Sequence, residues 1–133
     1  MQISLSFRNA ELTRMGLQNL SAEIPKIPKK PIYDTSMAIV KRQKEYPSRA
    51  SDYQRTYRFR SNWTITPYEL GYRIANRTPY GFRVVGDAFG QRQAWMHVGI
   101  WTPFRDVANE EVAKLPEAVQ KELSLAVRRN KLA

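Results

Sequence analysis

Tyr57, Arg58, Arg60, Arg73 and His97 are the residues of this chain whose types could do chemistry on a phosphodiester. A metal-free ribonuclease works with Arg, Lys, Tyr and His alone, its cations stabilising a phosphorane-like charge. The aromatic rings interleaved with these arginines could instead stack unpaired bases. Other chemistries find no residues. His97 is the single histidine, so a histidine metal cluster is excluded, and no two carboxylates have the spacing of a coordination site. Cysteine is absent, which removes thiol catalysis, thiolate metal sites and disulfides. Gly81, Gly86 and Gly90 are spaced too widely for a phosphate loop and lack its lysine. No serine sits in a nucleophile elbow. On an expected strand beside Trp95 and Met96, His97 reads more readily as a packed or edge residue than as a base. No catalytic residue and no cofactor is therefore expected, and the protein reads as a non-enzyme.

The elements that must position these residues are legible from hydrophobic period and punctuation. Ile3-Ser4-Leu5-Ser6-Phe7 alternates as a short strand does. Asn9 can cap a helix with Glu11 in its first turn and Leu12, Met15, Leu17 and Leu20 as an approximate apolar stripe, weakened by Gly16. Pro25, Pro28 and Pro31 predict an extended or turn-rich linker over 24–31. A helix capped by Asp34 or Thr35 then runs to about Tyr46, carries Met37, Ile39 and Val40, has Lys41, Arg42 and Lys44 at its negative end, and is stopped by Pro47. Trp63–Thr66 and Leu70–Asn76 predict an antiparallel strand pair, with Pro67 at an edge or end. Phe82–Val85 and Ala94–Ile100 read as third and fourth strands, separated by a Gly86–Gln93 loop with Phe89 near its tip. Phe104, Val107, Ala108, Val112, Leu115, Val119, Leu123, Ala126 and Val127 share one helical face, with acids at its start and Arg128, Arg129 and Lys131 at its end. Pro116 must kink this helix or split it, and the split is favoured.

The expected fold is thus α+β: an antiparallel sheet of about four strands, packed by an N-terminal helical segment and a long, Pro-kinked or split C-terminal helix. With 133 residues, 42% of them hydrophobic, the chain suits one domain over 1–133. Its parts are a basic front segment 1–47, a turn plus sheet over 48–102, and a helix over 103–130. No apolar run approaches a membrane span, and no signal peptide is read at the N-terminus. The net charge is +10, and residues 1–62 carry 12 basic against 5 acidic side chains. That front half would attract nucleic acid or an acidic protein surface alike.

Several short segments resemble one family, the tail-completion and head–tail joining proteins of tailed bacteriophages. Pro47 stands at the end of a basic helix, and Arg55-Thr56-Tyr57-Arg58-Phe59-Arg60-Ser61 fills the turn that follows. Tyr57 occupies the usual glycine position of that turn and Phe59 the usual leucine. Trp63-Thr64-Ile65 begins the sheet, Tyr80–Gly86 matches a Tyr-then-Gly segment, and Trp101-Thr102-Pro103-Phe104 opens the last helix. The resemblance covers about residues 33 to 130. It implies a structural virion component, assembled in the host cytoplasm and seated in the neck or tail. There it would form a homo-oligomeric ring, usually of six copies, between the portal or adaptor and the tail. Its partners would be the neighbouring neck, adaptor and tail proteins, with non-specific DNA contact and no membrane.

Arginine and aromatic side chains favour interfaces. Arg55, Tyr57, Arg58, Arg60, Trp63, Tyr80, Phe89, Arg92, Trp95 and Trp101 are the candidate interface residues, with Phe89 on the loop best suited to dock. The alternative is a small basic nucleic-acid-binding protein or a metal-free ribonuclease of the toxin type, although such toxins lack a long proline-rich front segment.

Overall fold

The computed structural model describes residues 10–45 and 58–132. The expected strand Ile3–Phe7, the Asn9 cap, the stop at Tyr46-Pro47, and Arg55 and Tyr57 lie outside those residues. The described chain is α+β, mostly helical, with one two-stranded antiparallel sheet. It divides into two compact units, one of residues 1–32 with 114–133 and one of Tyr33–Ala113. Among the described residues no helix is long and apolar enough to cross a membrane.

In the first unit, helix α1 (Ala10–Glu23) buries Gly16 and Leu20, four residues apart on one face. Leu12, Met15 and Leu17, expected on the apolar stripe, are exposed. Gly16 therefore does more than weaken the helix. A Cβ there would lie 2.5 Å from the backbone oxygen of Asn130 and 3.1 Å from Leu132 Cδ2, so glycine sets how closely the chain's C-terminal turn approaches α1. Leu20 joins Ala126, Val127 and Leu132 in a small core, with Ile27 and Leu123 packed against it.

Of the extended or turn-rich linker expected over 24–31, the turns are present over 24–28, and helix begins at Lys29. A 3-10 turn covers Ile24–Lys26, and helix α2 (Lys29–Lys44) already contains Pro31. Pro25 sits at the start of the turn, and Pro31 is the third residue of α2. The first four N–H groups of a helix have no intrahelical partner, so a proline among them forfeits no bond.

Helix α6 (Leu115–Arg129) starts with Pro116 in its first turn. It is separate from the preceding α5 (Phe104–Val112), as the split reading expects. Its end is closed by paired bonds, Leu132 N–H to Val127 O at 3.0 Å and Lys131 N–H to Arg128 O at 2.9 Å. This is the Schellman arrangement, and it requires a left-handed residue at the position of Lys131, whose φ is 57°. Arg129 bonds the Glu23 carboxylate at 2.9 Å and holds that carboxyl below its ordinary range. Because lysine is strained where glycine is not, Lys131→Gly is expected to raise stability by about 0.5–1 kcal/mol, read as a higher urea midpoint with unchanged slope.

In the second unit, α2 buries Ser36, Ile39, Val40 and Gln43, spaced three, one and three apart, and turns Met37 outward. Arg42, in its last turn, reaches Glu110 at 2.7 Å and Glu111 at 3.1 Å on α5. Strands β1 (Trp63–Tyr68) and β2 (Gly71–Asn76) form a hairpin in the register Ile65↔Ile74. Its two-residue loop places Glu69 at φ 50°, the left-handed conformation such loops use.

The third and fourth strands are not formed. Phe82–Val85 lies in the short helix α4 (Gly81–Val85), and Ala94–Ile100 contains a 3-10 turn over Trp95–His97. A short apolar run has no decisive period, and the left-handed glycines Gly86 and Gly99 interrupt an extended chain. The core of this unit gathers Phe59, from the short helix α3 (Arg58–Ser61), with Val84 and Val85, and Trp63, Trp101 and Phe104 pack around them.

Candidate functional site

The best-organised exposed feature is the loop after α4. Gly86 ends that helix at φ 78°, its N–H bonding Phe82 O at 2.8 Å. Asp87 then locks the turn. Its Oδ1 accepts the N–H groups of Phe89 and Gln91, both at 2.9 Å, and its own N–H bonds Gln91 O at 2.8 Å. From α5, the Arg105 guanidinium donates to Phe89 O at 3.0 Å and occupies the space a side chain at Gly90 would need. Phe89 is thereby presented 76% exposed on a turn with little freedom left to lose. A side chain ordered before binding keeps more of its contact energy on association.

The base of the loop is equally fixed. Gln93 Nε2 donates to Val84 O at 2.8 Å and Trp101 O at 3.1 Å, and Ala94 N–H bonds Arg83 O at 2.7 Å. These bonds tie the loop to the aromatic core. The 3-10 turn that follows leaves Trp95 84% exposed. Arg92 lies over the Phe82 ring at 3.9 Å, with Arg83 on the same ring at 5.8 Å. The surface is therefore aromatic and cationic together.

The other candidates fall in different places. Trp63 and Trp101 are half-buried and make edge contacts with Phe59 at 5.5 and 5.6 Å, while Trp63 stacks on Phe104 at 5.9 Å. They hold the core rather than stand as exposed anchors. Tyr80, 39% exposed, precedes α4. Arg60 is exposed on α3 and lines a groove with Met37, Lys41 and Lys44 of α2. Arg58 lies in α3, and Arg55 and Tyr57 lie outside the described residues.

Of the residues suited to phosphodiester chemistry, Tyr57 lies outside the described residues, Arg58 and Arg60 share α3, and the others sit on separate elements. Arg60 is on α3, Arg73 on β2 and His97 in the 3-10 turn, and Arg73 is stacked over the Tyr68 ring at 4.1 Å. Among the described residues, no group of three acids or histidines could hold a metal ion. A cavity of about 270 Å³ lies beside Arg42, Gln43, Thr102 and Val107, and the buried Gln43 donates weakly to Thr102 O at 3.4 Å.

Gln93 and Arg105, which with Asp87 hold the loop through backbone atoms, leave no cue in the sequence. An Asp-x-x-Gly turn, Asp87 to Gly90, is the one local cue, since aspartate favours bonding its own following backbone. No protein family, characterised protein or solved structure matches this chain.

Proposed function

We propose that this protein is a non-enzymatic building block of a tailed-bacteriophage neck or tail, a tail-completion or head–tail joining component that acts as a homo-oligomeric ring. The observation that carries the reading is the Phe89 loop, an exposed aromatic on a turn already fixed by Asp87 and Arg105. A preorganised apolar tip among arginines suits insertion into a neighbouring subunit, the mode of joining that the resemblance implies. The exposed Trp95 adds a second aromatic close by in sequence, and the net charge of +10 suits an acidic partner. The location is then the virion, with assembly in the host cytoplasm.

Phe89→Ala is expected to abolish incorporation while leaving the fold intact, because 76% of that residue already faces solvent. Loss of a central aromatic anchor weakens binding by about 2 kcal/mol or more, roughly 30-fold. Native mass spectrometry with the candidate neck proteins reads the loss, and Asp87→Ala, which frees the turn without removing the ring, should give a smaller one. Unchanged assembly by Phe89→Ala would remove the loop from the docking surface.

A second reading is favoured by Arg83, Arg92 and Arg105 grouped around Phe82 and Phe89, a pattern that can also stack single-stranded bases. On that reading the protein is a small basic nucleic-acid-binding protein or metal-free ribonuclease. RNA cleavage that disappears with Arg60→Ala or His97→Ala would establish it in place of the first.

A further inference from the structure

The two outer edges of the hairpin are not equivalent. Arg77 N–H bonds Asn62 O at 3.1 Å, which fixes the alternation of the ladder. Thr64↔Ala75, Thr66↔Arg73 and Tyr68↔Gly71 are then the hydrogen-bonded pairs, and Trp63↔Asn76, Ile65↔Ile74 and Pro67↔Tyr72 the non-bonded ones. Residues of non-bonded pairs direct their backbone N–H and C=O away from the partner strand. On β1 one of these is Pro67, which has no N–H to offer and blunts that edge.

On β2 the outward groups are those of Tyr72, Ile74 and Asn76. The sheet holds two strands only, so among the described residues no third strand pairs with β2. Tyr33 of α2 meets the Tyr72 ring at 5.2 Å and the Asn76 amide bonds Phe59 O at 2.7 Å, and both are side-chain contacts. Edge strands of natural proteins are protected by proline, lysine, a bulge or a cover. β2 is continuous in register over six residues and carries no proline. Arg73 is its one charge, and it projects from the sheet face shared with Thr66 rather than along the edge.

We infer that this edge of β2 pairs antiparallel with the same edge of a second copy, centred on Ile74, to make a four-stranded sheet across the two chains. The register follows from charge. Centring on Arg73 sets the two Arg73 side chains opposite each other, and centring on Ala75 sets Arg73 opposite Arg77; like charges directly opposed are unfavourable. Centring on Ile74 places Ile74 against Ile74, Tyr72 against Asn76 and Arg73 against Ala75, with no cation facing a cation. It also engages the outward groups of all three residues. The contact is isologous, so it closes at two copies. It is separate from the Phe89 loop and does not rest on the neck reading.

The absence of cysteine makes the register directly testable. In a non-bonded antiparallel pair the Cα atoms are about 4.5 Å apart, within disulfide reach. Chains carrying only Arg73→Cys, mixed with chains carrying only Ala75→Cys and oxidised, are expected to give mainly the mixed disulfide. Ala75→Cys homodimers, whose chains keep Arg73 and Arg77, formed as readily as the mixed species would overturn the register, and monomers throughout would overturn the pairing. Independently, Ile74→Pro removes an outward N–H and no bond of the hairpin, so it should weaken dimerisation about tenfold or more. Should Ile74→Pro unfold the chain, the cysteine pairs still decide. A wild-type chain that stays monomeric at high concentration while binding an extended foreign peptide at β2 would overturn the second copy as occupant.

Discussion

Gly16→Ala is expected to destabilise the protein by about 1–2 kcal/mol, and Gly16→Val by about 3 kcal/mol or more. The sign of the alanine change makes the prediction sharp. In a helix interior, alanine is favoured over glycine by about 1 kcal/mol, so propensity alone predicts a gain. Here the added Cβ would meet the Asn130 carbonyl oxygen at 2.5 Å and Leu132 at 3.1 Å. The nearer atom is backbone, and it belongs to a turn whose bonds to Val127 and Arg128 leave it little room to shift. Relief requires the C-terminal turn to back away from α1, which opens the core of Leu20, Ala126, Val127 and Leu132. Valine adds a branched side chain at the same point and should displace it further. Urea unfolding followed by helix signal measures both, and a stabilised Gly16→Ala protein would show that α1 and the C-terminal turn are not held this closely.

That glycine illustrates what could be read in advance and what could not. The last two helices were legible because apolar residues recur at helical spacing within each and because Asp106 and Glu117 lie in their first turns and Arg128 and Arg129 in the last turn of α6. Val112, expected on the apolar face, is exposed, and Glu111 beside it is buried. The break near Pro116 was legible because proline belongs in a first helical turn. The hairpin was legible from alternation, to within two residues at β1 and one at β2. What failed was local rule against tertiary context. Prolines 25, 28 and 31 read as breakers, yet two of them occupy first-turn positions where a missing N–H costs nothing. Phe82–Val85 read as a strand, but four residues, three of them apolar, are too few to carry a period. At the Phe89 loop the sequence showed the aromatic residue and the flanking glycines. The order of the loop comes from Asp87, Gln93 and Arg105 reaching backbone carbonyls and amides, and such bonds leave almost no trace in residue type.

Phe59→Ala is expected to cost about 3–5 kcal/mol, the range for deleting a buried aromatic ring. Phe59 is 4% exposed at the centre of the second unit's core, where both Trp63 and Trp101 set their rings edge-on to it. Each such contact is worth about 0.5–1.5 kcal/mol beyond burial, and both go with the one ring. Helix α3 is four residues long and cannot hold itself, so its Phe59 carbonyl, bound by Asn76 Nδ2 at 2.7 Å, loses its fixed position too. Fluorescence gives a second readout. Of the three tryptophans, Trp95 is 84% exposed and already emits from water, so a red shift in Phe59→Ala must come from Trp63 and Trp101. Because Gln93 bridges Val84 and Trp101, disorder in this cluster propagates to the base of the Phe89 loop. Partner binding should therefore weaken in Phe59→Ala, although Phe59 is buried, and recover in Phe59→Leu, which keeps most of the volume. A loss of stability below about 1 kcal/mol with unchanged emission would mean that the aromatic cluster does not hold this unit together, and the loop would then have no rigid base to dock from.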